Sequence, residues 1–218
     1  KKSIFWLTAK MQSKMSKILG KKFSFATTSG TSSLHAAIAS LGLKENDEVL
    51  VPALTFIADA SVLIQEHIKP IFVDISDKDF NLDPIDVQRK ITKNTKALII
   101  VHLYGQPANM DKLIQIARKN KLVLIEDCAQ AVGAKYKSKF VGSFGDISCF
   151  SFYQTKHLVT GEGGMILTNN ENYANVLRSI FNNGIKRSNL EDYDFDRIGF
   201  NYQITEMQAA LAVSQLKK

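Results

Sequence analysis

Short apolar runs alternate with helix-like patterns along the chain. Leu34, Ala37, Ile38 and Leu41 recur at the spacing of one buried helix face, and Gly42 follows as a helix stop. The acid and proline at 83–84 are typical of a helix start. Further helices are predicted over 55–65, 111–119, 171–181 and 205–216, and strands over 23–27, 49–51, 70–73, 97–103, 122–125, 148–152 and 165–167. This order is typical of an α/β fold with βα units around a largely parallel sheet.

The composition is that of an ordinary globular protein. The 218 residues include 45 % hydrophobic and 22 % charged side chains, with 12 Gly and 4 Pro. This length and apolar content suit one sizeable core, and they exclude a disordered or collagen-like chain. No apolar stretch approaches the roughly 18 residues that cross a bilayer, so we expect no membrane span.

The positive charge is concentrated at the start of the chain. The formal net charge is +7, and residues 1–22 hold seven lysines and no acid, so the remaining 21 basic and 21 acidic residues cancel. We interpret 1–22 as a basic helical segment with a solvated lysine face, a phosphate-binding arm being the alternative. We expect 23–218 to form the main domain and no nucleic acid to be a partner. The apolar run at 4–7 is too short for a signal peptide.

Cysteine and histidine do not indicate a metal site. Cys128 and Cys149 lack the close spacing of metal ligands, and each lies in an apolar segment. This favours reduced, buried thiols and a cytoplasmic location. No recognisable ligand spacing joins the histidines at 35, 67, 102 and 157.

Polar residues follow several predicted strands, at the sheet edge where open α/β folds bind ligands. Between the first strand and the next helix, Ser29-Gly30-Thr31-Ser32-Ser33 offers a tight turn, backbone N–H groups and hydroxyls. Such a segment can cradle a phosphate, although Ser and Thr also cap ordinary helices. It is neither a GxGxxG fingerprint nor a P-loop.

Later strands deliver further groups that can act on a ligand. Glu126 and Asp127 end an apolar strand, where an acid can cap a helix, bind a cation or hold a proton on a ligand nitrogen; Gln130 lies three residues on. Lys156 follows another strand, and an amine there can attack a carbonyl, although most lysines are simply solvated. Phe56 offers a flat ring, for which core packing is the commoner use.

Together these groups suit one ligand that carries a phosphate, a protonated ring nitrogen and an aldehyde. Pyridoxal 5′-phosphate has all three. Lys156 would form the Schiff base, and the helix start at Gly30 would take the phosphate. Asp127 would keep the pyridine nitrogen protonated so that the ring can act as an electron sink.

The sequence also resembles the DegT/DnrJ/EryC1/StrS family of sugar aminotransferases, which are fold type I enzymes that use pyridoxal phosphate. The resemblance runs from about 18 to 215, through SGTSSL, DEVLVPALTF, PIFVDI, NLDP, TKALIIVHLYGQPANMD, VLIEDCAQAVGAKY, VGSFGDISCFSFYQTKHLVTGEGG and GFNYQITEMQAAL. It implies a three-layer α/β/α sandwich with a mostly parallel central sheet as the large domain. It also implies a short stretch before Lys1 and a C-terminal small domain after Lys218, so we expect a truncated chain.

The resemblance gives each matching residue a role at the cofactor. Phe56 stacks on the ring and Gln130 lies near its hydroxyl. Asn201 reaches the cofactor phosphate of a neighbouring subunit, which implies a homodimer with shared active sites; Gln203 stands where the family usually has Arg. The rest of the expected set is Lys156 for the Schiff base, Asp127 for the pyridine nitrogen, and Gly30, Thr31, Ser32 and Ser151 for the phosphate.

The implied function is amino transfer to a keto sugar carried by a nucleotide, for cell-surface glycan or related amino-sugar synthesis. Glutamate is the expected amino donor. The family's sugar dehydratases have a histidine where Lys156 stands, so this lysine favours amino transfer. The alternative is a truncated member that is non-catalytic or regulatory, which the missing small domain and the basic N-terminal helix would support. A nucleotide-binding domain of another kind would need a Rossmann fingerprint, which the sequence lacks.

Overall fold

The computed structural model describes residues 5–187 and 193–217. The helices in these ranges are α1 (Trp6–Leu19), α2 (Gly30–Ser40), α3 (Ala58–Gln65), α4 (Pro84–Lys90), α5 (Met110–Lys119), α6 (Glu171–Ile180) and α7 (Glu206–Gln215), with a 3₁₀ turn at Leu103–Gly105. The strands are β1 (Phe23–Thr27), β2 (Glu48–Pro52), β3 (Lys69–Val73), β4 (Thr95–Val101), β5 (Val123–Asp127), β6 (Lys135–Tyr136), β7 (Lys139–Phe140), β8 (Ile147–Ser151), β9 (Gly164–Thr168), β10 (Ile185–Arg187) and β11 (Tyr193–Phe195). No helix in the described ranges is long and apolar enough to cross a bilayer.

A central sheet joins seven of these described strands in the order β1-β9-β8-β5-β4-β2-β3. β3, β2, β4, β5 and β8 pair in parallel, whereas β9 runs antiparallel to both of its neighbours. The prediction of a mostly parallel sheet is therefore confirmed. β2, β8 and β9 are buried along their whole length, as strands covered on both faces should be. The other four strands form two short hairpins, β6-β7 and β10-β11.

Helices cover both faces of the sheet and give the three-layer sandwich that the resemblance implies. On one face α2, α3 and α6 pack against Val51, Ile99 and Cys149. On the other face α4 and α5 pack against Leu98 and Leu124. α1 and α7 cover the same second face where β8, β9 and β1 lie.

The N-terminal segment is helical as predicted, but its lysines are not all solvated. Residues 1–4 of that segment lie outside the described ranges, and α1 ends at Gly20, whose φ of +65° is left-handed. Lys21, just beyond, is only 6 % exposed, and its Nζ donates to the carbonyl of Gly145 at 2.5 Å. Burial lowers the pKa of Lys21, against the opposing effect of Glu126. The expectation of a solvated side chain is therefore wrong for Lys21, because the chain turns inward there to enter β1.

Several element boundaries differ from the predictions. The helix predicted from 55 begins at Ala58, because the preceding residues form the connection from β2. The strand predicted through 103 ends at Val101, since Tyr104 takes a left-handed conformation (φ 52°) inside the 3₁₀ turn. Residues 135–140, where no strand was predicted, pair as the β6-β7 hairpin, with Lys137 left-handed at its turn.

The two cysteines are buried thiols, as predicted. Cys128 and Cys149 form no disulfide. Burial raises the pKa of both thiols well above the ordinary value, so both are neutral near pH 7.

Candidate active site

A cavity of about 450 Å³ lies at the sheet edge where the parallel strands end. β1, β5 and β8 reach it with their carboxyl ends, and the connection after β2 lines another side. Because β9 runs the opposite way, it also begins at this edge. The predicted residues that line the cavity are Gly30, Thr31, Phe56, Asp127, Gln130, Ser151 and Lys156.

The loop between β1 and α2 is held by a hydrogen-bonded helix cap. The Ser29 Oγ accepts the N–H of Ser32 at 3.0 Å, and the N–H of Ser29 donates to the Ser32 Oγ at 2.9 Å. The first N–H groups of a helix have no carbonyl partner within it, and the helix dipole is positive at that end. The start of α2 at Gly30 and Thr31 is therefore suited to an anion such as phosphate.

Gly30 allows the start of α2 to approach the end of β8. A Cβ atom at this position would lie 2.7 Å from the Ser151 Cβ and 3.1 Å from its Oγ. Any larger residue would therefore push the helix start away from β8. The glycine brings the hydroxyl of Ser151 beside the N–H groups of the helix start.

Ser32 belongs to the cap and does not line the cavity. Its hydroxyl donates to the carbonyl of Ser29 at 2.8 Å and accepts from Thr28 Oγ1 at 3.1 Å. Both its N–H and its hydroxyl therefore have partners within the loop. Ser32 shapes the loop that presents Gly30 and Thr31, and its role at a phosphate stays a prediction.

Asp127 is the buried acid at the end of β5. Its Oδ1 accepts the N–H of Ala129 at 2.7 Å. Burial raises the pKa of Asp127, and the Ala129 N–H opposes this rise. The carboxyl group keeps further lone pairs for a donor in the cavity.

Glu126 has a structural role on the other side of the strand. It accepts four hydrogen bonds, from His102 Nε2 (3.2 Å) and from the N–H groups of Gly142 (2.7 Å), Phe144 (2.8 Å) and Gly145 (2.5 Å). Burial raises the pKa of Glu126, but His102 and these N–H groups outweigh burial and leave the pKa below its ordinary value. The sequence analysis foresaw a helix cap, a cation site or a ligand nitrogen as the partner of Glu126. The structure instead shows that this carboxylate fixes the loop that leads into β8.

His102 has both ring nitrogens paired with protein groups. Its Nδ1 accepts the N–H of Ala108 at 3.2 Å, so Nε2 carries the proton that is donated to Glu126. Cys128 lies close to both side chains. Because the ring nitrogens and the carboxylate oxygens already have partners, this buried group is suited to packing rather than to binding a cation.

Lys156 and Phe56 border the cavity from two different connections, after β8 and after β2. Lys156 is half-buried in the turn after β8, where its N–H donates to the Tyr153 carbonyl at 2.9 Å. Its positive charge acts on Asp127 and lowers the pKa of that carboxyl. The Phe56 ring is 64 % exposed, which excludes the core-packing alternative and leaves the ring at the cavity wall.

Gln130 is oriented by the backbone of the 3₁₀ turn. Its Oε1 accepts the N–H of Tyr104 at 2.8 Å. The left-handed conformation of Tyr104 aims this N–H, and the pairing leaves the Gln130 amide NH₂ group for a ligand.

Asn201 lies outside this cavity. It is exposed and forms a β-bridge with Asn182. Gln203 stands in the place of the family's Arg. Its Nε2 lies 3.5 Å from both the Phe181 carbonyl oxygen and the Asn182 Oδ1. The contact of Asn201 with a neighbouring subunit remains a prediction.

Several polar residues at or behind the cavity were not foreseen. Tyr153 and Glu162 line the cavity, within segments that the sequence resemblance had already marked. Asp59 is completely buried in α3, where its Oδ2 accepts the Thr55 hydroxyl at 2.6 Å. A single charged residue in the apolar run ADASVLIQ was the available signal for Asp59.

Comparison with known proteins identifies the family. The sequence model of the DegT/DnrJ/EryC1/StrS aminotransferase family matches residues 7–218. The chain belongs to this family. GDP-perosamine synthase of Escherichia coli O157:H7 is 43 % identical over 196 residues, which are 89 % of this chain and 53 % of that protein. UDP-N-acetyl-3-dehydro-alpha-D-glucosamine 3-aminotransferase of Acidithiobacillus ferrooxidans is 39 % identical over 202 residues, 92 % of this chain and 54 % of that protein.

Solved structures of aminotransferases share the fold. The aminotransferase from Psychrobacter cryohalolentis matches with a TM-score of 0.91 and 34 % identity, over 97 % of this chain and 56 % of that one. The PLP form of the sugar aminotransferase Spr1654 from Streptococcus pneumoniae matches with a TM-score of 0.90 and 27 % identity, over 97 % and 59 %. The expected fold type I architecture is thus confirmed, and the DegT/DnrJ/EryC1/StrS chain spans little more than half the length of these relatives.

Proposed function

We propose that this chain carries the active site of a pyridoxal phosphate-dependent aminotransferase that converts a nucleotide-linked keto sugar into an amino sugar, with glutamate as the amino donor. One observation carries the proposal: a helix start suited to phosphate, a buried acid and a lysine share one cavity. The nucleotide-sugar substrate is supported by the names of the two relatives, which concern GDP- and UDP-linked amino sugars.

The residues at the cavity fit this cofactor. Because Gly30 has no Cβ, Ser151 lies directly against the start of α2, and its hydroxyl and the helix N–H groups together form a cradle for the phosphate. Asp127 is buried and has lone pairs for a protonated ring nitrogen. When bound, pyridoxal phosphate supplies a ring that stabilises negative charge on the carbon of the amino substrate.

Each residue then has a distinct task. Thr31 and Ser151 hold the phosphate, and Phe56 covers one face of the ring. Asp127 keeps a proton on the ring nitrogen. Lys156 would provide the amine that holds the cofactor, and the same amine would be the base that moves the proton at the donor carbon.

The neighbouring subunit of a homodimer would complete the site. Asn201 is exposed and lies away from the cavity of its own chain, a position from which it can reach a second copy. The non-catalytic alternative gains no support from the cavity, because Lys156 and Asp127 both line it.

The first test is cofactor attachment to Lys156. The chain is mixed with pyridoxal phosphate, its visible absorption is recorded, borohydride is added, and the reduced adduct is located by peptide mass. We expect an adduct on Lys156, its loss together with the absorption band in Lys156→Ala, and no change in the matched surface variant Lys10→Ala. Glutamate should discharge the band, and a nucleotide-linked keto sugar should restore it. An unchanged band in Lys156→Ala, or none in the folded wild type, would contradict the proposal.

A further inference from the structure

Asp59 is a buried acid that the steps above do not use. It lies in α3, behind the cavity wall formed by Ala58, and its side chain is fully buried. The Thr55 hydroxyl donates to its Oδ2 at 2.6 Å, whereas its Oδ1 has no donor among the described residues. An unpaired carboxyl oxygen in the interior is costly, so this atom calls for a physical explanation.

The carboxyl group of Asp127 supplies the explanation. Asp59 and Asp127 are neighbours at this wall: Ala58, the residue before Asp59, lines the same cavity as Asp127, and the nearby Asp127 carboxyl raises the pKa of Asp59 beyond the rise that burial causes. Two carboxylates in contact inside a protein cannot both be ionised, because neither charge is solvated and the two repel. A proton on Asp59 removes the conflict, since its O–H then donates to Asp127 and Oδ1 is no longer unpaired.

The surroundings place this proton on Asp59 rather than on Asp127. Burial and the neighbouring Asp127 raise the pKa of Asp59 well above its ordinary value. Asp127 instead accepts the Ala129 N–H and feels the positive charge of Lys156, which both favour its ionised form. The other titratable groups nearby are His102, whose Nε2 proton is donated to Glu126, and the neutral thiol of Cys149.

We propose that Asp59 is a positioning residue, a neutral carboxylic acid whose O–H donates to Asp127 and holds that carboxylate in the orientation needed by a protonated ring nitrogen. This inference rests on the proposed function, because the ring nitrogen belongs to the proposed cofactor. The pair resembles a catalytic carboxyl dyad in sharing one proton, but here the second acid lies behind the first and acts through it.

The ligand-free chain tests the shared proton directly. Infrared spectra of the chain labelled with ¹³C-aspartate, recorded at pH 7, should contain the C=O band of a protonated carboxyl group. We expect Asp59→Asn to remove this band and Asp86→Asn to keep it, because the buried Asp86 is held ionised by its own partners, among them Arg89. Absence of the band in the wild type, or its persistence in Asp59→Asn, would overturn the inference.

Cofactor binding tests the positioning role. Asp59→Asn keeps a donor, since its amide NH₂ can replace the O–H, whereas Asp59→Val has a similar size and no donor. We expect Asp59→Val to bind pyridoxal phosphate about ten- to a hundredfold more weakly, the range for losing a hydrogen bond to a charged group. The pH at which the bound cofactor's spectrum changes should shift as well, and Asp59→Asn should restore both values.

The outcomes separate this inference from the proposed function. Wild-type affinity and an unchanged spectral pH profile in folded Asp59→Val would overturn the positioning role alone. Failure of the wild type to bind pyridoxal phosphate would overturn the proposed function and the positioning role with it, while the infrared spectra would still decide whether Asp59 carries the proton. Thermal unfolding of each variant shows that the chain is folded, and Asp59→Asn serves as the reference if Asp59→Val is unstable.

Discussion

At the scale of single residues, the absence of a side chain is as important as the groups that bind. Gly30 starts α2, where an alanine would favour the helix, yet the space for a methyl group is taken by Ser151. The helix start and the end of β8 therefore act as two walls of one anion cradle. Their separation is set by the missing Cβ.

Gly30→Ala should lower both stability and anion binding. Helix propensity alone would favour alanine by about 1 kcal/mol, but overpacking against Ser151 costs about 1–3 kcal/mol. We expect a net loss of about 1 kcal/mol in urea unfolding and weaker binding of inorganic phosphate. The double variant Gly30→Ala/Ser151→Gly removes the Cβ that is struck, so it should recover the lost stability. Equal stability of wild type and Gly30→Ala would contradict the close approach.

Glu126→Gln should be strongly destabilising at pH 7. In the wild type, the backbone N–H groups of Gly142 and Gly145 donate to the Glu126 carboxylate. In the variant, an amide NH₂ group would face these donors and could not accept from them. Breaking a buried charged hydrogen-bond set of this kind costs about 3 kcal/mol. The measurement is the free energy of unfolding in urea, and Asp111→Asn is the control, since its carboxylate pairs with Lys137 at the surface and should change little.

The loss of stability in Glu126→Gln should depend on pH. The folded-state pKa of Glu126 lies below the ordinary value of 4.5, so its contribution is complete above that pH. As the pH falls through the folded-state pKa, the wild type gains the proton and loses the contribution. The difference between wild type and Glu126→Gln should therefore shrink in acid, and a difference that is constant down to pH 2 would contradict the assignment.

The sequence could predict some of these residues and not others. Lys156 and Asp127 could be expected at the same sheet edge because the pattern places them at strand ends, and both line the cavity. The sequence could not show that the Ser32 N–H and hydroxyl pair with Ser29, because the direction of a hydroxyl at a helix start depends on cap geometry. Asp59 was missed because its importance arises from its position behind the wall of a cavity that Asp127 also lines, which no local pattern reveals.

At the scale of elements, α1 is capped by a residue from α7. Phe5, at the N-cap position of α1, provides no side-chain cap. Instead the Glu206 carboxylate accepts the N–H groups of Leu7 and Thr8 at 2.8 and 2.9 Å, together with the Thr8 hydroxyl. Burial raises the pKa of Glu206, but the bonds from Thr8 and Leu7 outweigh it and leave the pKa below its ordinary value. A negative group at a helix start also complements the helix dipole.

Glu206→Ala should loosen α1 from the rest of the protein. Loss of a helix cap costs about 1 kcal/mol, so α1 should open more often than the sheet does. Hydrogen exchange of the α1 amides measures this opening, and we expect faster exchange there with little change in β4 and β5. Met207→Ala is the matched control, because this adjacent side chain is 79 % exposed. Equal exchange of α1 in both variants would contradict the capping role.

The boundaries of helices and strands could be predicted where residues close in sequence determine them, and not where distant contacts do. The start of α4 was correct because Asp83 caps its own helix, its carboxylate accepting the N–H of Ile85 at 3.0 Å. The start of α3 was predicted three residues too early. The propensity of Thr55 fits a helix or a loop, and its hydroxyl donates a hydrogen bond to Asp59 from the connection before α3. The β6-β7 hairpin has only two residues in each strand, too few for an alternating pattern.

At the scale of the whole molecule, strand order determines what meets at the cavity. The alternating pattern predicted a largely parallel sheet, but it could not give the order in which strands pair. β9 turns back beside β8 and pairs with β1, from Phe23 opposite Thr168 to Thr27 opposite Gly164. This arrangement brings the loop after β1 to the same edge as Asp127 and Lys156.

The cap on α1 has a consequence for biosynthesis. Leu7 and Glu206 are 199 positions apart, so a ribosome must add all the residues between them before the partner of α1 emerges. Until then the apolar side of α1, with Met11 and Met15, has no α7 to pack against. α1 is thus synthesised well before it can pack fully, and until then the nascent chain exposes an apolar surface of the kind that chaperones bind.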